Sequence, residues 1–274
     1  MKASPIKRTS AALCVAMAGM LSQASAVNVD SELVLLVDTT NSALNNNQFN
    51  DLMDGYAAAF TSSQIMDSIQ AGAYKKIAVS VMFFGNTNSQ QVGIPWMEIG
   101  NSTQALQFAT LLQNVNKPNY GGNPDVAAAL TAATFSFGTE TGHAANGFES
   151  QVQIVEVASS KRPNNNTASA VSASSNNSLT SGVDMINSIA LGNQAATVDA
   201  FYSANVIGST IPGTPATHGS SPINGTLAAN LGSMLSSTVQ TGANTAIITA
   251  VPETHTSLAL AAGILLLLKR RRRY

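Results

Sequence analysis

The sequence predicts an α/β domain in which a mainly parallel sheet carries helices on both faces. Apolar runs of strand length alternate along the chain with segments whose apolar residues recur at helical spacing, which is typical of this architecture. Residues 33–37 are apolar without interruption, as expected of a central parallel strand that is covered on both sides. With 274 residues, 45% of them hydrophobic, the chain is long enough to bury one large core.

The individual elements follow from the same two periodicities. Phe49, Leu52 and Met53 lie on one face of the first predicted helix, which extends to residue 60. Pro95 has no N–H group for a strand ladder, so the strand before it is assigned to an edge of the sheet. Strands are predicted at 77–84, 92–94, 151–157 and 183–191, and further helices at 105–112, from Asn123 to residue 133, and at 168–181, 198–205 and 224–235.

Polar side chains follow the central strand directly, in the segment Asp38-Thr39-Thr40-Asn41-Ser42. Open α/β sheets bind ligands beyond the carboxyl ends of their strands, which is where Asp38, Thr40 and Ser42 are expected. One carboxylate and two hydroxyls at alternate positions are suitable ligands for a hard divalent cation, Mg²⁺ or Ca²⁺. The alternative is that Asp38 and Thr40 only cap the loop and helix that follow.

The string D-x-T-x-S at the end of this strand resembles the D-x-S-x-S metal-ion-dependent adhesion motif of von Willebrand factor A domains. Further segments occur in a matching order and spacing over residues 32–235: DGYAAAF, KIAVSVMFFGN, VGIPWMEI, YGGNPDVAAAL and FYSANVIGS. Together they resemble a bacterial family of unassigned function within the von Willebrand A-like superfamily. The resemblance implies a Rossmann-like von Willebrand A-type domain, which we place at residues 27–235.

The resemblance also suggests ligands from a second loop. In the superfamily, a threonine after paired glycines often contributes to the metal site, and Asn123 occupies about that place after Gly121-Gly122. Asp125 is close enough in sequence to substitute for it. The alternative is that Asn123 caps a helix whose first residue is Pro124, which is an ordinary helix start.

A third loop departs from the family pattern. Where the superfamily has an aspartate after its fourth strand, this chain has Ser160, followed by Lys161 and Arg162, which would oppose a cation. Cation affinity rises with the number of charged ligands, so the resemblance implies a degenerate site. The predicted metal ligands are Asp38, Thr40, Ser42, Asn123 and Asp125.

The two ends of the chain are predicted to be targeting segments. Basic residues, an apolar stretch at 11–21 and Ala24-Ser25-Ala26 indicate a signal peptide at 1–26 that is cleaved after Ala26. At the other end, Val251-Pro252-Glu253 precedes an apolar run at 254–268 and five basic residues. This tail, 251–274, resembles the PEP-CTERM sorting signal, although Thr254 stands where that signal usually has proline. Residues 236–250 are predicted to form a polar linker.

The tail resemblance implies export through the inner membrane of a Gram-negative-type bacterium. A short transmembrane helix would anchor the protein transiently, and an exosortase-like enzyme would process it, leaving the protein at the cell surface or in an exopolysaccharide-associated matrix. Without both ends the domain has five basic and 13 acidic side chains, a net charge of −8. Such a surface repels phosphate backbones, so nucleic acid is excluded as a partner.

The sequence argues against an enzyme. His143 and His218 lie in glycine-containing loops and belong to no recognisable triad, and neither a G-x-S-x-G elbow nor a phosphate-binding loop is present. The predicted function is an exported, non-enzymatic binding or adhesion module with a degenerate metal-ion-dependent adhesion-type site. Its ligand would be an extracellular protein or polysaccharide. The alternative is a metal-free structural or interaction protein of the extracellular matrix.

Overall fold

The structure, a computed structural model, describes residues 26–163 and 166–250, with side chains up to residue 246. The strands are β1 (Val27–Val29), β2 (Glu32–Asp38), β3 (Ile77–Phe84), β4 (Gln90–Ile99), β5 (Phe148–Ser150), β6 (Gln153–Ser159), β7 (Met185–Leu191), β8 (Gly208–Ser209) and β9 (His218–Ser221). The α-helices are α1 (Asn46–Phe60), α2 (Ser63–Gln70), α3 (Ser102–Asn114), α4 (Val126–Ser136), α5 (Ala168–Thr180), α6 (Ala195–Asn205) and α7 (Leu227–Ala250).

The central sheet has the strand order β4-β3-β2-β6-β7-β8, and β9 also pairs with β7. The pairings of β2 with β3, β2 with β6, β6 with β7 and β7 with β9 are parallel. The short or peripheral strands β4 and β8 run antiparallel to their neighbours. β1 and β5 form a separate parallel pair. The predicted fold class, a mainly parallel sheet between helices, is therefore confirmed.

β2 shows why the apolar run is continuous. Leu33, Leu35 and Val37 face the core formed with α1, α2, α3 and α7, whereas Val34 and Leu36 face the core formed with α4, α5 and α6. All five side chains are almost completely buried. Each contributes about 1.5–3 kcal/mol of transfer free energy, so both faces of β2 drive folding.

The predicted polar linker at 236–250 is wrong, because these residues form the second half of α7. Val239, Ala243 and Ala246 continue the buried face that begins at Leu231 and Leu235. A Cβ atom on Gly242 would lie 2.6 Å from the Cβ atom of Ser31, so α7 approaches the start of β2 more closely than any other residue type would permit.

The structure does not test the predicted targeting segments at the two ends of the chain. Apart from Ala26, the predicted signal peptide at 1–26 lies outside the described residues, and so does the predicted sorting signal at 251–274 with its apolar run. Within residues 26–163 and 166–250, none of the helices combines the length and apolar character needed to cross a membrane. Export and anchoring remain predictions from the sequence.

Candidate functional site

Asp38 ends β2 in a buried position, with no exposed surface. Its Oδ1 atom accepts hydrogen bonds from the backbone N–H of Thr40 at 3.0 Å and from Thr40 Oγ1 at 2.8 Å. Its Oδ2 atom accepts from Ser159 Oγ at 2.7 Å. Burial raises the pKa of Asp38 to about 6, and the hydrogen bonds from Ser159 and Thr40 limit the rise.

The loop after Asp38 is fixed against the loop at 117–122. The backbone N–H of Asn41 donates to Tyr120 O at 2.9 Å, next to a single bridge between Thr40 and Tyr120. The amide of Asn41 donates to Asn119 Oδ1. Ser42 is exposed, and its hydroxyl donates to Gly122 O at 3.3 Å. The predicted neighbours Asp38, Thr40 and Ser42 therefore share one loop, but their oxygen atoms serve hydrogen bonds within the protein.

Asp125 has a structural role in the second loop. It is the N-cap of α4, where Oδ1 accepts from the N–H of Ala128 at 2.9 Å and Oδ2 accepts from Thr87 Oγ1 at 2.6 Å. Its own N–H donates to Gly85 O at 2.8 Å. The predicted helix start at Asn123 and Pro124 is therefore wrong by two residues, because Asp125 caps the helix. Asn123 is half-buried in the loop before it.

The third loop contributes a residue that the sequence did not single out. Ser160, which stands near the place of the family's aspartate, donates to Ala43 O. The preceding residue, Ser159, reaches Asp38 from the end of β6, which lies beside β2. The sequence signal was a hydroxyl at the end of a buried strand. Only the strand register shows that Ser159, and not Ser160, faces Asp38.

Lys117 is the second residue that the sequence did not single out. Its Nζ atom is 2.8 Å from Thr39 O, 3.1 Å from Asn41 Oδ1 and 3.3 Å from Pro118 O. Burial lowers the pKa of Lys117, and the Asp38 carboxylate raises it. The ammonium group thus joins the two loops at the carboxyl end of β2.

These residues do not fit a divalent cation in the described arrangement. Asp38 is enclosed and its two oxygens already accept three hydrogen bonds, Asp125 is used as a helix cap, and Lys117 places a positive charge at the same loops. A hard cation needs several oxygen ligands with lone pairs directed at one point. In the described parts of the chain, no three His, Cys, Asp or Glu side chains are grouped so that they could hold a metal ion.

A cleft opens beside this loop system. It has a volume of about 420 Å³ and is lined by Asn41, Leu44, Asn45, Asn46, Asn47 and Lys117. The first turn of α1 forms one wall, and a capping box fixes its position, because Asn45 Oδ1 accepts from the N–H of Gln48 and Gln48 Oε1 accepts from the N–H of Asn45. The side chains of Asn45, Asn46 and Asn47 are exposed.

The family model described as "Protein of unknown function (DUF1194)" matches residues 28–212. The chain belongs to this family. The predicted membership of a family of unassigned function is thereby confirmed, and α7 lies beyond the matched residues. No curated protein matches the chain.

Solved structures share the architecture at low sequence identity. Proximal thread matrix protein 1 from the mussel byssus is 14% identical with a TM-score of 0.53, over 79% of this chain and 50% of that one. The von Willebrand factor domain of the pilus tip protein Mfa5 from Porphyromonas gingivalis is 10% identical with a TM-score of 0.48, over 79% and 96%. A von Willebrand factor type A structure from Catenulispora acidiphila is 10% identical with a TM-score of 0.47, over 78% and 43%.

These likenesses concern the α/β fold alone. The chain spans half the length of the mussel protein and less than half of the Catenulispora protein.

The two histidines within the described residues, His143 and His218, lie outside the Asp38 loops. His143 stacks on Phe135, with ring centroids 4.1 Å apart, and its Nδ1 atom is 3.2 Å from Thr141 Oγ1. His218 lies in β9, with Nδ1 2.9 Å from Asp199 Oδ1 on α6. His143 lies in the loop after residue 141 and His218 in β9, and their hydrogen-bond partners Thr141 and Asp199 are not part of the Asp38 loops.

Proposed function

We propose that this DUF1194 domain is an exported, non-enzymatic binding module that holds a hydroxyl-rich ligand, a neutral polysaccharide, in the cleft beside Asp38. The observation that carries the proposal is the position and lining of the cleft. It lies at the carboxyl end of the central strand, where open α/β sheets bind ligands, and four asparagines line it.

The chemistry of the cleft favours a saccharide. A side-chain amide both donates and accepts hydrogen bonds, as a sugar hydroxyl does, so the exposed amides of Asn46 and Asn47 are complementary to neighbouring hydroxyls. Lys117 already donates to three protein oxygens, which leaves no N–H for an acidic sugar. The net charge of −8 disfavours polyanions further.

Two observations support export and a matrix location. β1 begins at Val27, immediately after the predicted cleavage site at Ala26. The structure with a TM-score of 0.53 is, by its name, a matrix protein of the mussel byssus. The proposal includes the C-terminal sorting tail, transient anchoring in the inner membrane and an exosortase-like processing enzyme, all from the sequence of residues 251–274.

Binding without catalysis is supported by the state of the polar groups in the crevice. Asp38 is buried and hydrogen-bonded, so it is closed to a substrate, and the two histidines lie on other elements. General acid–base catalysis needs a titratable group within hydrogen-bond reach of the reacting atoms. The cleft lining of amides, one leucine and one engaged lysine does not supply one.

The test is electrophoresis of the purified protein in native gels that contain dextran, galactomannan or xyloglucan, with alginate as the acidic polysaccharide. We expect retardation by a neutral polysaccharide and none by alginate. Replacing both Asn46 and Asn47 by Ala should weaken binding about thirtyfold, because two hydrogen bonds of about 1 kcal/mol each are removed. The matched control replaces Asn176 and Asn177, an exposed pair on α5, by Ala.

Equal weakening by the two double variants, or retardation by alginate alone, would contradict the proposal.

A second candidate function, a metal-free interaction protein of the matrix, is favoured by one observation. Val92, Leu106 and Leu111 are 52%, 62% and 46% exposed along β4 and α3. Pro95 and Leu111 line an adjoining groove of about 200 Å³. Absence of retardation by every polysaccharide would favour this candidate.

A further inference from the structure

Lys117 lies where the loop after Asp38 meets the loop at 117–122. A lysine ammonium has three N–H donors, and here three oxygens lie within 2.8–3.3 Å of Nζ. Two belong to backbone carbonyls, at Thr39 and Pro118, and one to the side-chain amide of Asn41. Neutral carbonyl oxygens of this kind are ligands that hard cations accept in proteins.

The same ammonium compensates a buried negative charge. Asp38 directly precedes Thr39, whose carbonyl accepts from Lys117. Burial raises the pKa of Asp38, and Lys117 is one of the groups that hold it down. A carboxylate in a closed site needs such compensation, since an unpaired buried charge is strongly destabilising. One positive charge, on Lys117, thus accompanies the one negative charge on Asp38.

We propose that the Lys117 ammonium is a built-in cation that does, in this crevice, what a divalent metal would do: it holds the loops at 39–41 and 117–118 together and compensates Asp38. A divalent ion would have to displace the ammonium from its oxygens or add two charges beside it. The crevice is therefore assembled without metal. The consequence for binding, that the ligand docks equally well in chelator, rests on the proposed function.

The first experiment measures thermal unfolding of the purified protein in EDTA and in ~10 mM Mg²⁺, Ca²⁺ or Mn²⁺. We expect the wild-type melting temperature to be the same in all four buffers. Lys117→Met keeps the length of the side chain and removes the charge, and should lower the melting temperature by about 3–6 °C. Lys76→Met is the matched control. It removes a lysine whose 3.0 Å pair with Glu98 is partly exposed, and should lower the melting temperature by about 2 °C or less.

The second experiment replaces the positive charge of Lys117 by a negative one. Lys117→Glu, whose side chain is one atom shorter than that of lysine, brings a carboxylate towards the oxygens of Thr39 and Asn41 that the ammonium contacts. This variant should melt below Lys117→Met in EDTA, because two carboxylates repel. A millimolar site would then raise its melting temperature by about 3–6 °C in ~10 mM Ca²⁺ or Mg²⁺. A melting temperature that depends on divalent cations only after Lys117 is replaced would support the inference that the ammonium takes the place of a metal ion.

Two results would overturn the inference. One is a wild-type melting temperature that rises by several degrees in a divalent cation, with the rise absent in Asp38→Asn, since a metal would then be the resident cation. The other is a Lys117→Met variant as stable as the Lys76→Met control, which would make Lys117 an ordinary surface lysine. Both results come from unfolding, so they are independent of polysaccharide binding. Retardation of the wild type that disappears in EDTA would count against Lys117 while leaving the proposed function in place.

Discussion

Asp38 and Glu156 lie on the neighbouring strands β2 and β6, and both are almost completely buried. Asp38 accepts three hydrogen bonds and stands near Lys117, and its pKa is about 6. Both carboxyl oxygens of Glu156 lack a hydrogen-bond partner within the described part of the chain, and burial raises its pKa to about 8. Equal burial thus has different consequences, because three donors lie within hydrogen-bond distance of Asp38, whereas at Glu156 the nearby Asn187 amide opposes the effect of burial only in part.

The surroundings of Glu156 explain its state. Its neighbour on β7, Asn187, donates to Thr238 on α7 at 3.0 Å. The buried Tyr56 hydroxyl on α1 is unpaired among the described residues, and its pKa is raised by burial and by the charge of Glu156. Asp38 is held as an anion in a closed hydrogen-bonded loop, whereas Glu156 is held as a neutral acid under α1 and α7.

The largest effect is expected from pH. The folded pKa of Glu156, about 8, is above its ordinary value of 4.5, so folding favours the protonated form. Its contribution to stability is fully present below about pH 4.5 and is lost as the pH rises to about 8, at a cost of about 4–5 kcal/mol. Urea unfolding at pH 5 and pH 8.5 should show this loss in the wild type, and Glu156→Gln should remove it. The pKa of Glu32 is also raised to about 8 by burial, so Glu32 leaves a comparable pH dependence in the variant, and the difference between wild type and variant measures the contribution of Glu156.

If Glu156→Gln had the same pH dependence as the wild type, Glu156 would be solvated or paired in solution, and the contrast with Asp38 would disappear.

A smaller effect is expected from Asp38→Ala. The change removes the acceptor of three hydrogen bonds and leaves the N–H of Thr40 and the hydroxyls of Thr40 and Ser159 without it. Each unsatisfied buried donor costs about 1–3 kcal/mol, and the two hydroxyls can rotate to other acceptors, so we expect a loss of about 2–4 kcal/mol at pH 7. Asp54→Ala, an exposed aspartate on α1, is the control for urea unfolding. A loss no larger than in the control would indicate that Asp38 is open to solvent.

The smallest effect is expected from Ser159→Ala. The hydrogen bond to the Asp38 carboxylate is lost, at about 1.5–3 kcal/mol above the pKa of Asp38, together with the contacts of Ser159 Oγ with the N–H and carbonyl of Lys161. The pKa of Asp38 should rise above about 6, because the Ser159 hydroxyl stabilises the ionised form. Carbon-detected NMR titration of the carboxyl group measures this shift, and Ser160→Ala, which loses the bond to Ala43 O, should leave it unchanged. A shift of equal size in both variants would mean that the strand register at β6 is different in solution.

The sequence predicts the sheet well because strand burial is a local property: five consecutive apolar residues at 33–37 require cover on both sides. It also places Asp38 at the crevice. It does not predict that Asp38 is closed, since its partners Ser159 and Lys117 are 121 and 79 positions away along the chain and meet it only through the order of the strands and loops. The second half of α7 was missed because its buried face uses Ala243 and Ala246, whose small side chains give little apolar signal among Ser, Thr and Gly.

The continuous helix α7 has a mechanical consequence. Its 24 residues form a rod about 36 Å long that packs on α1 and α2. A force applied at Ala250 would therefore act on a continuous helix and not on a flexible linker. Tension along the helix axis would shear the whole interface of α7 with α1 and α2 at once, so many contacts would have to break together. The close approach of Gly242 to Ser31 would oppose sliding of the helix along its axis. The domain would transmit load from its C-terminal end directly into the central sheet.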